Sequence, residues 1–417
     1  MTWSYATHYV CDGCAKPFEL HRPLNTCPDC GGLLEVRYDL GRMKRELSPG
    51  MFASRVPSMW RWHEFYPLRD AANVVTLGEG GTPLIRSVYA GRQLGLPELY
   101  FKNDALMPTG SFKDRGFSLA VSFAKELGIK RGLTYSSGNA GSSFAAYASR
   151  AGIEAAVLVE YLANPLKKSM IGLYGAHTAT LHFESMNDIT AMLAEAVQRL
   201  GLYQFVNFIN PVRHEAMKSY AYEIAQAFDW KAPDVMVHPV GTGGGIWGAW
   251  KGFGELLELG WTDSVPRMVA VQPDATGPIV RAFRQGSRTA ERYGDSTKTI
   301  AQSIAGDAPI QKGERVLSAV YDSGGFAETV TDSEILEAMR WLGNEGIAAE
   351  PASAASLAAV KKGVEQGRIR SSDRVICVIT GTGLKQPSAT QQAVPESELK
   401  LNADFGQLSE LLAKLWN

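Results

Sequence analysis

Short runs of β-branched and aliphatic residues recur along the chain, and between them apolar positions return every three or four residues. The runs Leu99 to Lys102, Leu133 to Ser136, Ala155 to Glu160, Thr178 to Phe183, Gln204 to Phe208, Asp234 to Pro239, Arg267 to Gln272 and Arg374 to Ile379 read as strands. Helical periodicity is clearest from Asn187 to Leu200, where Ile189, Met192, Leu193, Ala196, Val197 and Leu200 share a face. It returns from Ser333 to Gly346, with Thr331 or Asp332 as N-cap. This alternation predicts an α/β fold with open, largely parallel sheets covered by helices. Ligands of such sheets sit beyond the carboxyl ends of the strands, so chemistry is sought at the strand-to-helix junctions. Near the end of the chain, Phe405, Leu408, Leu411, Leu412 and Leu415 form one stripe, read as core packing with a subunit contact as the alternative.

The 417 residues suffice for two or three folding units with a buried core. Lys and Arg number 42 against 43 Asp and Glu, a formal charge of −1, so no global field draws the chain to nucleic acid or to an anionic membrane. No apolar run approaches the ~18 residues that span a bilayer. Met1 to Glu19 lacks a basic segment followed by an apolar one. The expectation is a cytoplasmic protein with neither nucleic-acid nor membrane partners.

Cysteines fall unevenly. Cys11, Cys14, Cys27 and Cys30 spell C-x2-C-x12-C-x2-C, two thiolate pairs carried on the turns Asp12-Gly13 and Pro28-Asp29, as tetrahedral zinc requires. Four sulfurs leave no open position for water, so such a zinc is structural. Disulfide pairing is the rival, disfavoured in a reducing compartment, and a metal-free relic ribbon is the plain alternative. Cys377, inside the apolar run Val375 to Ile379, reads as inert core packing. Basic residues near the ribbon (Lys16, His21, Arg22, Arg37) are balanced by Asp12, Glu19, Asp29, Glu35 and Asp39, which argues against a nucleic-acid module.

Four strand-to-helix junctions are rich in glycine and hydroxyl residues. In the first, Pro108-Thr109-Gly110-Ser111-Phe112-Lys113-Asp114-Arg115-Gly116, Ser111 is a candidate cap and Lys113 falls in the first helical turn. A cation there opposes the helix macrodipole by roughly 0.3–1 kcal/mol, which lowers the ammonium pKa and suits an amine that forms a Schiff base. The second, Ser136-Ser137-Gly138-Asn139-Ala140-Gly141, offers backbone N–H groups and hydroxyls to an anion. The third, Gly241-Thr242-Gly243-Gly244-Gly245, has no Cβ to keep successive amides from a phosphate and lacks the Lys-Ser/Thr of a nucleotide-binding loop. The fourth, Thr380-Gly381-Thr382-Gly383-Leu384-Lys385, puts a hydroxyl at the end of the Cys377 strand.

These segments carry a resemblance. Together with Leu77-Gly78-Glu79-Gly80, Gly81-Thr82-Pro83-Leu84, Asn210-Pro211-Val212-Arg213, Lys218, Ala221-Tyr222-Glu223-Ile224 and Glu350-Pro351-Ala352-Ser353-Ala354-Ala355-Ser356, they make nearly the whole chain similar to the fold-type II, tryptophan-synthase-β class of pyridoxal-phosphate enzymes. Within that class the chain most resembles the threonine synthases, whose longer members also carry a cysteine ribbon with a segment like Gly31-Gly32-Leu33-Leu34-Glu35-Val36 after it.

The resemblance implies a two-domain enzyme with pyridoxal 5′-phosphate as cofactor and a small amino acid as substrate. Residues 1–45 would be the ribbon, 46–115 and 204–394 the large domain, 116–203 the smaller inserted domain, and 395–417 an amphipathic tail, in a homodimer. Lys113 would hold the cofactor aldehyde and move protons, and Asn139 would bond the ring 3′-oxygen. Gly241, Thr242, Gly243, Gly244 and Gly245 would enclose the cofactor phosphate, and Thr380 would face the pyridine nitrogen. Ser137, Gly138 and Ala140 would hold the substrate carboxylate. Arg213 would hold a substrate phosphate, with Lys167 or Lys168 near a second basic position and a salt bridge to Glu215 or Glu223 as the plain reading of Arg213. His214 reads as a surface residue.

The implied reaction turns O-phosphohomoserine and water into L-threonine and phosphate. The alternative is a relative acting at Cβ of another amino acid, either O-phosphoserine with sulfite or serine and threonine in a dehydratase. This chain departs from the threonine synthases at Thr242 and Gly245, where they commonly have asparagine, and at the bulky Phe208 and Ile209. It departs again at Thr382 and Gln386, where they often have histidine and aspartate.

Overall fold

The computed structural model describes residues 2–136, 138–160, 164–182, 186–394 and 401–416. Among them, β1 (Ala6–Cys11), β2 (Pro17–Glu19) and β3 (Leu34–Tyr38) form an antiparallel ribbon in the order β2-β1-β3. The main sheet uses β4 (Leu84–Arg86) and β5 (Leu99–Asn103). A second sheet uses β6 (Arg131–Tyr135), β7 (Glu154–Glu160), β8 (His177–Leu181) and β9 (Tyr203–Gln204). The main sheet then resumes with β10 (Val235–Pro239), β11 (Arg267–Pro273), β12 (Phe326–Val330) and β13 (Val375–Ile379). Its order is β12-β11-β10-β13-β5-β4, parallel except where β4 meets β5; the second sheet, β8-β7-β6-β9, is all parallel.

The apolar runs have a direct cause. Every residue of β13 is buried, because helices cover both faces of the main sheet. Ile376 and Val378 join Met236 in one core, while Val375, Cys377 and Ile379 join Val235 and Val237 in the other. Trp60 and Trp62 are buried in the first of these cores. Cys377 is inert there, its thiol pushed up to about 12 by burial.

Three expectations need correction. The run Gln204 to Phe208 is strand only through Gln204, since Phe208 turns to φ +63° and leaves the extended region. The strand expected from Thr178 to Phe183 is β8, with Phe183 itself outside the described residues. The terminal stripe does form a helix, Phe405–Trp416, but it has no buried residue, so core packing is overturned. Among the described residues no helix is long and apolar enough to cross a membrane.

Candidate active site

The carboxyl ends of β5, β10 and β13 open on a narrow cleft lined among others by Lys113, Asn139, Arg213, Gly241–Gly245, Glu350 and Thr380. Lys113 is the first residue of the helix Lys113–Glu126. Asp114 folds back on the turn before it, accepting hydrogen bonds from Thr109 N (2.7 Å), Thr109 Oγ1 (2.5 Å) and Ser143 Oγ (2.6 Å). Arg115, fully buried, pairs with Asp104 (2.8 Å) and Glu223 (2.5 Å), and so pins the helix start to two neighbouring segments. Phe112 N donates to Thr380 O at 2.8 Å, joining this turn to the end of β13. Ser111 does not cap the helix: Phe112 takes the cap position, and the buried Ser111 hydroxyl has no hydrogen bond among the described residues.

Lys113 Nζ stands 4.0 Å from the centre of the Phe112 ring. Its pKa is lowered to about 7, chiefly by burial and then by the charge of Arg213, against the opposing pull of Glu350. The expected depression is present, with desolvation as its leading cause instead of the helix macrodipole.

Close packing dictates the glycine loop. A Cβ on Gly243, which sits at φ +87°, would come 2.1 Å from Val316 Cγ2; on Gly244 it would come 2.6 Å from the Asn207 amide, and on Gly245 2.3 Å from the His238 ring. Gly243 caps the helix Gly244–Leu259, so backbone amides at a positive helix end face the cleft. Asn207 Nδ2, from a neighbouring turn, donates to Thr242 Oγ1 at 2.9 Å. His238 Nδ1 bonds Pro239 O at 2.9 Å, leaving Nε2 buried without a partner among the described residues. Burial lowers the His238 pKa to about 4.

On the opposite wall, Asn139 opens the helix Asn139–Ala151 and donates from Nδ2 to Glu350 Oε1 at 2.7 Å. Lys167 Nζ reaches Glu350 Oε2 (3.3 Å) and Ser303 Oγ (3.2 Å), two groups that line the cleft. Gly138 is bare because a Cβ would strike Lys167 Cδ at 2.3 Å. Gly138 N donates to Ser136 Oγ at 3.1 Å, Ala140 follows in the first helical turn, and Ser137 lies outside the described residues. Thr380 Oγ1 is 2.9 Å from Ser353 Oγ, which also accepts from the backbone N of Thr380 and Gly381.

Arg213 is 3% exposed and forms no ion pair among the described residues. Glu215 goes instead to Lys218 and Lys251, and Glu223 to Arg115 and Lys102, so the salt-bridge reading of Arg213 is not supported. Its Nη1 donates to Phe205 O at 2.6 Å, its guanidinium lies 4.1 Å from the Phe117 ring centre, and its Nε is buried without a partner among the described residues. Burial lowers its pKa to about 9. A buried guanidinium without a counter-ion, at the edge of a cleft, suits an anionic ligand. His214 is not at the surface: it is fully buried, 4.7 Å from the Trp247 ring and 3.2 Å from Arg315 Nη1.

Away from the cleft, the sulfurs of Cys11, Cys14, Cys27 and Cys30 all lie within 4.8 Å of one another, and none is in a disulfide. Cys11 to Cys30 is 3.4 Å and Cys14 to Cys27 3.7 Å, close to the ~3.8 Å edge of a tetrahedron with Zn–S bonds of about 2.3 Å. A Cβ on Gly32 would come 2.8 Å from Cys11 Sγ. This zinc-ribbon-like segment fits structural zinc.

Glu350, Ser303, Asn207 and His238 were not singled out from the sequence. Glu350 lay within a quoted motif, but only the folded chain brings its carboxylate to Asn139 and Lys167.

A half-buried lysine of depressed pKa, a glycine loop at a helix end, and an asparagine on the facing wall, all beyond the carboxyl ends of a mostly parallel sheet, define a pyridoxal-phosphate enzyme of fold-type II. The family model for pyridoxal-phosphate dependent enzyme matches residues 75–381, and the chain belongs to that family as a pyridoxal-phosphate-dependent lyase. The threonine synthase of Methanocaldococcus jannaschii is 39% identical over 411 residues, covering 97% of this chain and 99% of that one. The threonine synthase of Methanosarcina acetivorans is 36% identical, covering 97% and 98%. Among solved structures, maize serine racemase superposes with a TM-score of 0.61 at 21% identity, over 80% of this chain and 92% of that one. A threonine deaminase of Solanum lycopersicum gives 0.64 at 18%, over 79% and 90%. The two structures share the fold.

Proposed function

We propose that this chain converts O-phosphohomoserine and water to L-threonine and phosphate, with pyridoxal 5′-phosphate in the cleft. The observation that carries the substrate is Arg213, a buried cation without a carboxylate partner among the described residues, in the same cleft as Lys113 and as the Glu350 and Ser303 groups that Lys167 contacts. The relatives at 39% and 36% identity carry the same activity in their names.

The cleft fits the cofactor. Lys113 has an amine with no hydrogen-bond partner among the described residues, the four glycines of the loop Gly241–Gly245 present amides that no Cβ obstructs, and Asn139 and Thr380 line the same cleft. In this reading Lys113 holds the aldehyde, the loop holds the phosphate, Asn139 the ring oxygen and Thr380 the pyridine nitrogen. Ser137, Gly138 and Ala140 hold the substrate carboxylate. Bound there, pyridoxal phosphate supplies an electron sink for charge developing on the substrate carbons.

The chain's own residues do the rest. At a pKa of about 7, Lys113 Nζ is half deprotonated at neutral pH, so it can take a proton from the substrate and return one. Overall, the Cγ–O bond breaks and phosphate leaves, one hydrogen is lost from Cβ while one is added at Cγ, the hydroxyl of water bonds to Cβ, and the remaining water proton goes to the phosphate. Arg213 and Lys167 stabilise the departing dianion, and closure of residues 116–203 over the substrate limits water to the one that reacts. The proposal extends to a cytoplasmic homodimer. Purified enzyme is offered O-phosphohomoserine, O-phosphoserine and threonine separately. Phosphate and threonine released from the first alone is the expected result, whereas oxoacid from threonine, or turnover of O-phosphoserine in preference, sinks the assignment.

A further inference from the structure

An asparagine side chain has two ends of the same shape and opposite polarity, so its role depends on which end faces the ligand. Asn139 is 5% exposed and both ends of its amide are held. Lys385 Nζ donates to Oδ1 at 3.3 Å, and Nδ2 donates to Glu350 Oε1 at 2.7 Å. An ammonium can only donate and a carboxylate can only accept. A flipped amide would therefore set nitrogen against ammonium and oxygen against carboxylate, losing two charge-assisted bonds at once.

The two holding groups are themselves fixed. Glu350 is 1% exposed; its Oε2 takes Lys167 and its backbone N donates to Gly381 O at 3.0 Å. Residue 381 is glycine where a Cβ would come 2.8 Å from Glu350 Oε1, so the backbone makes room for this carboxylate. Lys385 is 8% exposed on the turn after β13. Of the two hydrogens on Asn139 Nδ2, one goes to Glu350, and among the described residues the other has only a 3.4 Å contact with Ser303 Oγ. That second hydrogen is the one free to serve a ligand.

We infer that Glu350 and Lys385 are positioning residues that lock the Asn139 amide with its nitrogen toward the cleft, so that the cofactor's ring oxygen always meets a donor. The inference rests on the reading above that Asn139 faces that oxygen. A merely structural pair would stabilise the wall without discriminating between ligands that have the oxygen and ligands that lack it.

The experiment uses the full chain, freed of cofactor, and measures by absorbance titration the Kd of pyridoxal phosphate and of 3-deoxypyridoxal phosphate. The wild type is expected to prefer the former, and Asn139→Ala to abolish the preference. Lys385→Met and Glu350→Gln should each shrink the preference, and together reduce it about tenfold. Lys385→Gln, whose amide still donates to Oδ1, should restore most of it. If Asn139→Ala keeps the full preference, the reading of Asn139 fails and the inference falls with it. If Asn139→Ala loses the preference while Lys385→Met and the double variant weaken both ligands in parallel, or neither, the reading stands and the lock alone is overturned. Should Glu350→Gln not fold, as judged by thermal unfolding, the Met and Gln variants of Lys385 decide the matter by themselves.

Discussion

An amine lowered to about 7 from its ordinary 10.5 costs the cofactor-free protein stability. Below about pH 7 both folded and unfolded chains carry the proton, and the cost is full. As pH rises from about 7 to 10.5, the unfolded chain binds a proton the folded one has released, so stability climbs with pH across that window. Lys113→Met, freed of cofactor, should therefore be more stable than the wild type at pH 7 by about 1–2 kcal/mol and show a flatter rise toward pH 10 in urea unfolding. The same variant offered pyridoxal phosphate should develop no visible Schiff-base band and no turnover; equal stability of the two proteins at pH 7 contradicts the burial account. Arg213 is tested by its ligand. Arg213→Met should lower kcat/KM for O-phosphohomoserine about a hundredfold, and Arg213→Lys should recover part of it as a point charge without the fork. An unchanged value for Arg213→Met removes Arg213 from the phosphate site. That Lys113 and Arg213 come to one cleft was legible in the sequence because each sits in a motif. His214 was misread because nothing local announces that Phe208, Trp247 and Arg315 close over it.

Elements show the same division between local and long-range information. The glycine loop was legible because four glycines in five positions have few other uses, although the sequence did not say what each glycine avoids. Gly243→Ala meets two penalties, a left-handed φ and the side chain of Val316, and should cost about 2–4 kcal/mol in urea unfolding while weakening cofactor binding. Adding Val316→Ala should return the steric part only. A full recovery in the double variant shows that φ +87° carries no cost of its own. By contrast β12 went unread: Phe326-Ala-Glu-Thr-Val has no apolar run, and Glu328 is tolerated inside because Arg284 (2.6 Å) and Arg368 (3.5 Å) pair with it from neighbouring segments. The run after Gln204 failed in the opposite sense, since its β-prone residues are bent away by Phe208 at φ +63°. Apolar pattern locates strands where burial is two-sided and misleads where partners or turns come from elsewhere in the chain.

The four-cysteine spacing was legible at the scale of the whole molecule; the docking of the ribbon on the catalytic body was not, because its partners come from far along the chain, among them Arg315, 303 residues from its partner Asp12. Asp12 lies between Cys11 and Cys14, and its carboxylate takes Arg315 Nε at 2.8 Å. The same guanidinium donates to Leu34 O on β3 at 3.0 Å and lies 4.5 Å from the Trp247 ring centre. The next residue, Val316, is the one that packs against Gly243 of the glycine loop. Ribbon residues Tyr9, Leu34 and Val36 are fully buried in a core shared with the helix Lys113–Glu126 and the second sheet, so ribbon and body form one packed unit. Structural zinc bound by the four thiolates should make that unit cooperative, since the ribbon has little core of its own to hold the knuckles together. Elemental analysis should find one zinc per chain, and calorimetry of the metal-loaded protein a single unfolding transition. Chelation should split off an early transition, with the ribbon unfolding first and the catalytic body later. Arg315→Ala should lower the temperature at which the ribbon unfolds with zinc still bound, because it removes the Asp12 ion pair and the bond to Leu34 O while leaving the four ligands intact. A single unsplit transition after complete zinc removal would mean that the ribbon's contacts with the body, the shared core and Arg315 among them, hold it in place without the metal.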